Sequence, residues 1–379
     1  MGQERNSKNN RKDDVVITLI SFIILLSILI FVHEFGHFLA ARIAGVGVLK
    51  FSLGFGPKII GKKIRETEYV LSWIPLGGFV KLLGESGNEE LPPEDEKRSF
   101  FIQPVWKRML IVLAGPFFNF LLAIVIFTIV FMHGWPTISS VIGEMPKDSV
   151  ALEAGIRVGD KIISINDKKI VSWDEIKPII TECKNTEVKV AVQRGNEAKS
   201  FNLRPKLSKT KNIFGEEKSD YLIGISPAGD MLNAERKNPF DAVFSSLKKT
   251  LEVSKLTIIV LIKMLKGDIS PKNLGGPIFI AQASGAMAKE GIIPFILFIA
   301  VLSINLGVIN LFPIPVLDGG HIFFYLIEIV TRREVSVKVR EISQQIGFVL
   351  LLMLMLFVIF VDVERLNFKV INDIMKIFK

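Results

Sequence analysis

The sequence predicts a polytopic α-helical membrane protein with four transmembrane helices, a membrane-associated β-hairpin region and one inserted αβ domain. Three observations carry that expectation. Four stretches, Val15–Val32, Met109–Met132, Gly291–Leu317 and Ile342–Val361, contain no charged side chain. A helix needs about 20 apolar residues to cross the hydrocarbon core, and a soluble protein has little use for four such runs. Between the second and third runs lies a segment with the mixed period-two and helical patterns of a small folded module. The overall composition, 49% hydrophobic and 22% charged over 379 residues, is ordinary, so the signal lies in the distribution. A soluble enzyme, a disordered chain and a collagen-like chain are excluded.

Residues 1–14 read as a disordered polar tail. Residues 15–41 form the first transmembrane helix, which runs on through His33-Glu34-Phe35-Gly36-His37. This run is longer than a signal-peptide core and leads into no small-residue cleavage site, so it reads as a retained helix. Residues 42–107 form a loop with β structure. Within it Phe51–Gly56 and Glu68–Trp73 read as short strands, and Gly77–Leu82 as a strand or hairpin with loosened backbone geometry. Residues 108–132 are the second span, with Gly115, Pro116 and Asn119 inside it.

Residues 133–205 read as the compact module. Asp148–Ala154 is a short helix closed by Gly155, and Ile163 and Ile165 alternate with polar residues as a half-buried strand requires. Ser172-Trp173-Asp174-Glu175 reads as a capping box. The helix that it opens places Ile176, Ile179, Ile180 and Cys183 on one face. Val188, Val190 and Val192, then Phe201 and Leu203, alternate as strands. Residues 206–290 read as a linker with one strand near Tyr221–Ile225, followed by an amphipathic helix over Phe240–Leu265 that lies on the membrane surface or packs on the module. Residues 291–330 form a third span broken by Asn305, Asn310, Pro313 and Pro315. A short loop (331–341), a fourth span (342–362) and a C-terminal tail (363–379) complete the chain.

The net charge of +9 brings no stripe of basic residues interleaved with aromatics, so nucleic acid is not an expected partner. The lipid bilayer is. Lys and Arg number eleven in residues 42–108 and four in 331–341, against four in each tail. That bias places both termini and the module outside the cytoplasm. The single cysteine, Cys183, excludes an internal disulfide.

Two of the four histidines form His33-Glu34-Phe35-Gly36-His37. Residues four apart stack on one helix face, so both imidazoles can bind one metal with Glu34 beside it as a proton acceptor. A carboxylate at membrane depth costs about 2.5–3.5 kcal/mol on insertion scales, and helix pairing requires none flanked by two histidines. A catalytic zinc site needs a third protein ligand and an open fourth position. The third apolar run ends in Asn310-Leu311-Phe312-Pro313-Ile314-Pro315-Val316-Leu317-Asp318-Gly319-Gly320-His321, which offers Asp318 and His321 as candidates. Residue type does not choose between them, whereas an anionic ligand offsets more of the cost of a dication in a low-dielectric setting. His133, just past the second span, reads as an interfacial residue.

These two motifs resemble the site-2 protease family of intramembrane zinc metalloproteases, in its bacterial RseP-like branch. The resemblance covers most of the chain and extends to FSLGFGPK, IPLGGFVKL, RMLIVLAGPFFNF and NLGGPIFIAQ. Pro146, Ala154-Gly155-Ile156 and Val158–Asn166 resemble a bacterial PDZ domain, so the inserted module is expected to be PDZ-like. The resemblance implies one zinc per chain held by His33, His37 and Asp318, Glu34 as catalytic base, and Asn310 in contact with substrate. It further implies cleavage of transmembrane segments of single-span proteins, anti-sigma factors or remnant signal peptides, in the bacterial inner membrane. A substrate helix must unwind before cleavage, and an exposed strand edge can hold it by β-addition. Gly54, Gly56, Gly77, Gly78 and Phe79 are the candidates for that edge. The competing reading is a non-catalytic membrane adaptor with the module as its working part. A zinc-bearing transporter is disfavoured by the lack of an inverted repeat.

Overall fold

The structure is a computed structural model that describes residues 2–85, 91–211, 217–233 and 236–377. It divides into two compact units, one of Met1–Thr128 with Val243–Lys379 and one of Ile129–Ala242.

Helix α1 (Gly2–Ala44) contains the first apolar run, and its membrane-length part is Asp13–Ala44. Residues 2–14, expected as a disordered tail, continue this helix. No proline or glycine interrupts residues 3–35, and a helix already nucleated propagates at little cost. Strands β1 (Val48–Ile64) and β2 (Thr67–Leu82) follow as one antiparallel pair. Their register is irregular: Phe51 pairs with both Val80 and Tyr69, and Lys62 pairs with Tyr69 from the other side. Each strand is therefore bent upon the other, and the short strands expected from the sequence are segments of these two. Gly54 and Gly56, at φ of +91° and +83°, lie at the bend of β1. At the turn Glu66 pairs with Arg42 of α1 at 2.7 Å and with Arg98.

After the short α2 (Pro93–Glu96), helix α3 (Val105–His133) contains the second apolar run and carries Pro116 in its interior. Proline is tolerated in spanning helices because neighbours re-satisfy the freed backbone groups. Val46, Val48, Leu82, Phe100 and Ile111 form one buried cluster between these elements.

The second unit holds β3 (Pro136–Ile138), β4 (Ile142–Glu144), α4 (Val150–Glu153), β5 (Lys161–Ile165) and β6 (Lys168–Lys169). It continues with α5 (Ile176–Cys183), β7 (Val188–Arg194), β8 (Glu197–Leu203), β9 (Lys206–Lys211), β10 (Glu217–Leu222), β11 (Ser226–Pro227) and β12 (Met231–Asn233). Its largest sheet has the order β6-β5-β7-β8. Val188, Val190 and Val192 are fully buried against Ile176 and Ile180 of α5, with Ile179 and Cys183 at the margin.

Three sequence expectations change here. In β5 the buried residues are Ile162 and Ile165, and Ile163 is only partly buried. A register shift between Ile162 and Ser164 inserts an extra residue, which breaks simple alternation. The expected capping box does not form: Glu175 accepts the amide of Val171, one residue before the expected cap, at 3.1 Å, and the Ser172 hydroxyl donates to Glu175 and caps nothing. Residues 206–233, expected as linker, belong to this unit. β9 and β10 form a hairpin, while β11 and β12 pair with β4 and β3. β9, Lys-Leu-Ser-Lys-Thr-Lys, has one apolar residue, and that one is exposed. Among its residues 206–209 none is buried, so these give no buried face that a sequence pattern could reveal.

Helix α6 (Pro239–Lys266) returns the chain to the first unit, followed by α7 (Pro277–Glu290), α8 (Ile292–Asn310), α9 (Asp318–Thr331) and α10 (Val337–Ile377). Within that unit α6 bonds to α3 through Ser246 and Thr128 at 2.9 Å, and to α8 through Thr257 and Asn305 at 2.7 Å. α7 packs along α1, and Asp362 of α10 accepts the amides of Gly276, Ile278 and Phe279 at its N-terminus. The expected tail after residue 362 continues α10 as helix to Ile377. Among the described residues, four helices are long and apolar enough to cross a membrane: Asp13–Ala44, Val105–His133, Ile292–Asn310 and Val337–Leu366.

Candidate metal centre and active-site cavity

His33 and His37 lie one helical turn apart on α1, with their rings nearly perpendicular and Nε2 atoms 3.3 Å apart. α3 crosses α1 at this level. A Cβ on Gly115 would stand 2.3 Å from His37 Nε2 and 2.9 Å from His33 Cε1, so only glycine leaves room for both rings. The break after α8 delivers the third group. Leu311–Leu317 turns back over the start of α9, and a Cβ on Gly319 would meet the Phe312 carbonyl oxygen at 2.2 Å. This close approach sets Asp318 against α1, with Oδ2 3.2 Å from His33 Nε2 and Oδ1 3.5 Å from His37 Nε2.

Among the described residues, His33, His37 and Asp318 form the one group of three or more metal-ligating side chains, with their donor atoms within 4.8 Å of one another. Their chemistry fits a divalent cation. His37 donates its Nδ1 proton to the Ile111 carbonyl at 2.9 Å, which leaves Nε2 with a lone pair facing the cluster. Asp318 Oδ2 is buried without a hydrogen-bond donor. Two imidazole nitrogens and a carboxylate form one of the known donor sets of catalytic zinc.

The cluster opens on a cavity of about 610 Å³ that also exposes Glu34, Asn310, Gly78 and Phe79. Asn310, at the end of α8, brings its side-chain nitrogen to 3.3 Å from His33 Nε2. Gly78 lies against Glu34, where a Cβ would be 2.9 Å from the Glu34 Cγ. Gly54, Gly56 and Gly77 do not line this cavity; they shape the bends of the hairpin. His321 lines the cavity but stands outside the donor group, and His133 caps the far end of α3 by bonding the Ile129 carbonyl. Sequence reading missed Glu85, Tyr325 and Arg340, which line the same cavity. Arg340 follows the turn after α9, where no periodic or motif signal marks it.

The fold and this site define a multi-pass membrane protein with an HExxH metal centre. Peptidase family M50 matches residues 21–354 of the chain, which therefore belongs to that family, the site-2 proteases. A Rhizobium meliloti protein whose name describes a zinc metalloprotease is 35% identical over 367 residues, covering 93% of this chain and 98% of its own. Protease RseP of Yersinia pestis is 32% identical, covering 93% of this chain and 99% of its own. The regulator of sigma E protease of Haemophilus influenzae is 32% identical, covering 91% and 98%. The chain is accordingly a zinc-dependent metalloendopeptidase, and the adaptor reading falls.

Proposed function

We propose that this chain is an intramembrane endopeptidase that cuts transmembrane segments of single-span membrane proteins, anti-sigma factors or remnant signal peptides among them. One observation carries the reading: the donor cluster and Glu34 share a cavity to which all four helices of membrane length contribute residues. The name of the Haemophilus relative, regulator of sigma E protease, favours an anti-sigma factor as one substrate.

In this reading His33, His37 and Asp318 hold the zinc. When bound there, the ion supplies a Lewis acid that makes water nucleophilic near neutral pH and polarises a peptide carbonyl. Glu34 accepts the proton of the attacking water and passes it to the leaving amide nitrogen. Asn310, beside His33, hydrogen-bonds the substrate backbone near the cut. The edge of β2 at Gly78–Val80 lines the cavity, and among the described residues no strand other than β1 pairs with it. An unwound substrate segment adds to that edge, which presents its carbonyls to the centre. The enzyme resides in the bacterial inner membrane, with the PDZ-like module and both termini outside the cytoplasm.

Glu34→Gln removes the proton acceptor without touching a ligand. The variant should keep its zinc by metal analysis and lose cleavage of a reporter membrane segment. Substantial residual turnover would remove Glu34 from the base role.

A further inference from the structure

Asn119 is a fully buried carboxamide in an otherwise apolar stretch of α3. Such a group costs free energy in that setting unless it has a partner. Its partner is His33: the side-chain nitrogen of Asn119 stands 3.0 Å from His33 Nδ1, while its Oδ1 is buried with no hydrogen bond. Asn119 lies four residues after Gly115, hence on the same face of α3. Ser303 of α8 donates to the backbone carbonyl of Asn119 at 2.8 Å, which fixes the height of the residue beside α8.

The orientation of the amide decides which nitrogen of His33 carries its proton. If the amide N–H points at Nδ1, the ring proton is forced onto Nε2, the atom that faces Asp318 and His37. A proton there occupies the lone pair that a metal ligand must offer. Side-chain oxygen and nitrogen of asparagine exchange places by a half turn of the amide, and the two are told apart by their hydrogen bonds. After that half turn Oδ1 accepts the Nδ1 proton of His33, and Nε2 faces the cluster with its lone pair. His37 already holds this tautomer through the Ile111 carbonyl. The two imidazoles then present matching nitrogens to one point.

We propose that Asn119 is a positioning residue that accepts the Nδ1 proton of His33 and so aims Nε2 at the zinc. The proposal rests on the reading of His33 as a ligand. The test measures zinc affinity of the purified full-length chain in detergent, by competition with a chromophoric chelator. Asn119→Ala should bind zinc about 10–100-fold more weakly, as expected when the partner of a ligating histidine is lost. Asn119→Asp keeps an acceptor of the same shape and should bind as tightly as the parent or tighter. Its cobalt-loaded form should retain the tetrahedral absorption bands of the parent. Parental affinity in Asn119→Ala overturns the proposal. So does an Asp variant that binds zinc as weakly as Asn119→Ala or lacks those bands, because the amide N–H is then the group that matters. If Asn119→Ala does not fold, the Asp variant decides alone. His33→Ala separates the two layers: zinc retained at parental affinity there refutes the ligand reading itself, whereas zinc lost there with parental affinity in Asn119→Ala refutes only the positioning role.

Discussion

Asp318 and His321 stand three residues apart at the start of α9, yet they meet different neighbours. Both carboxylate oxygens of Asp318 lie within 3.5 Å of an imidazole nitrogen, whereas His321 lines the cavity away from the donor group. A carboxylate also neutralises part of the charge of a dication held away from water, which a neutral imidazole does not. Asp318→Asn should therefore sharply lower zinc occupancy and abolish cleavage. His321→Ala should keep most of its zinc and lose activity only in part. Metal analysis of the two purified variants decides, and a zinc-free His321 variant beside a loaded Asp318 variant would make the site a three-histidine one. The first two donors were legible in the sequence because a helix fixes the geometry of residues four apart. For the third, spacing left Asp318 and His321 open, since nothing local says which side chain of a broken segment turns inward, and charge and resemblance favoured Asp318.

Helices α3, α9 and α10 are joined by charge inside the first unit. Arg108 of α3 bonds Glu328 of α9 at 2.6 Å, and Arg340 of α10 stands 3.6 Å from the other oxygen of the same carboxylate. Arg108 and Glu328 are both buried, and Arg108 stacks over the Tyr325 ring at 5.1 Å. Removing one member of such a group leaves an uncompensated buried charge, a loss of about 3–5 kcal/mol. Glu328→Gln strands two guanidinium groups, so unfolding in detergent should show a loss of that order, and a change below about 1 kcal/mol would mean that water reaches the cluster. In the second unit, burial alone would raise the Asp160 carboxyl. Bonds from Arg194 Nε and Nη2, each at 2.7 Å, and from the Arg157 amide at 2.8 Å outweigh it and hold the group below the usual carboxylate range. The folded-state value thus lies under the unfolded one of about 3.9. The stabilisation is complete above that pH and is lost as pH falls through the folded value. Amide exchange of β5 and β7 in the full chain should show this acid-side loss, and Asp160→Asn should be weaker at neutral pH and flatter below pH 4.

In the proposed four-span topology, the loop after α9 and the turn between β7 and β8 fall on opposite faces of the membrane. In the proposed orientation, which rests on the excess of Lys and Arg in residues 42–108 and 331–341, the first of these faces the cytoplasm. Cysteines at Glu334 and Asn196, both exposed, in a Cys183→Ser background should react with an impermeant thiol reagent from opposite sides. Reaction from one side alone for both would refute four spans.

What the sequence determined by itself is what short-range physics encodes. Uncharged runs set the four spans, spacing of four set His33 and His37 on one face, and Pro313, Pro315 and the glycines after Asp318 set the break between α8 and α9. Alternation at Val188–Val192 set the core strand of the second unit. Only the tertiary structure decided the rest: which of Asp318 and His321 meets α1, which glycines of the hairpin reach the cavity, and that Asn119 stands behind His33. It also assigned the polar hairpin of residues 206–222 to the second unit and moved the buried face of β5 to Ile162. These outcomes turn on a helix crossing at Gly115, a loop folded back over Gly319 and a bulge of one residue. The crossing and the bulge join groups distant in the chain, and the loop at Gly319, though short, takes its direction from α1, so periodicity and spacing hold no record of them.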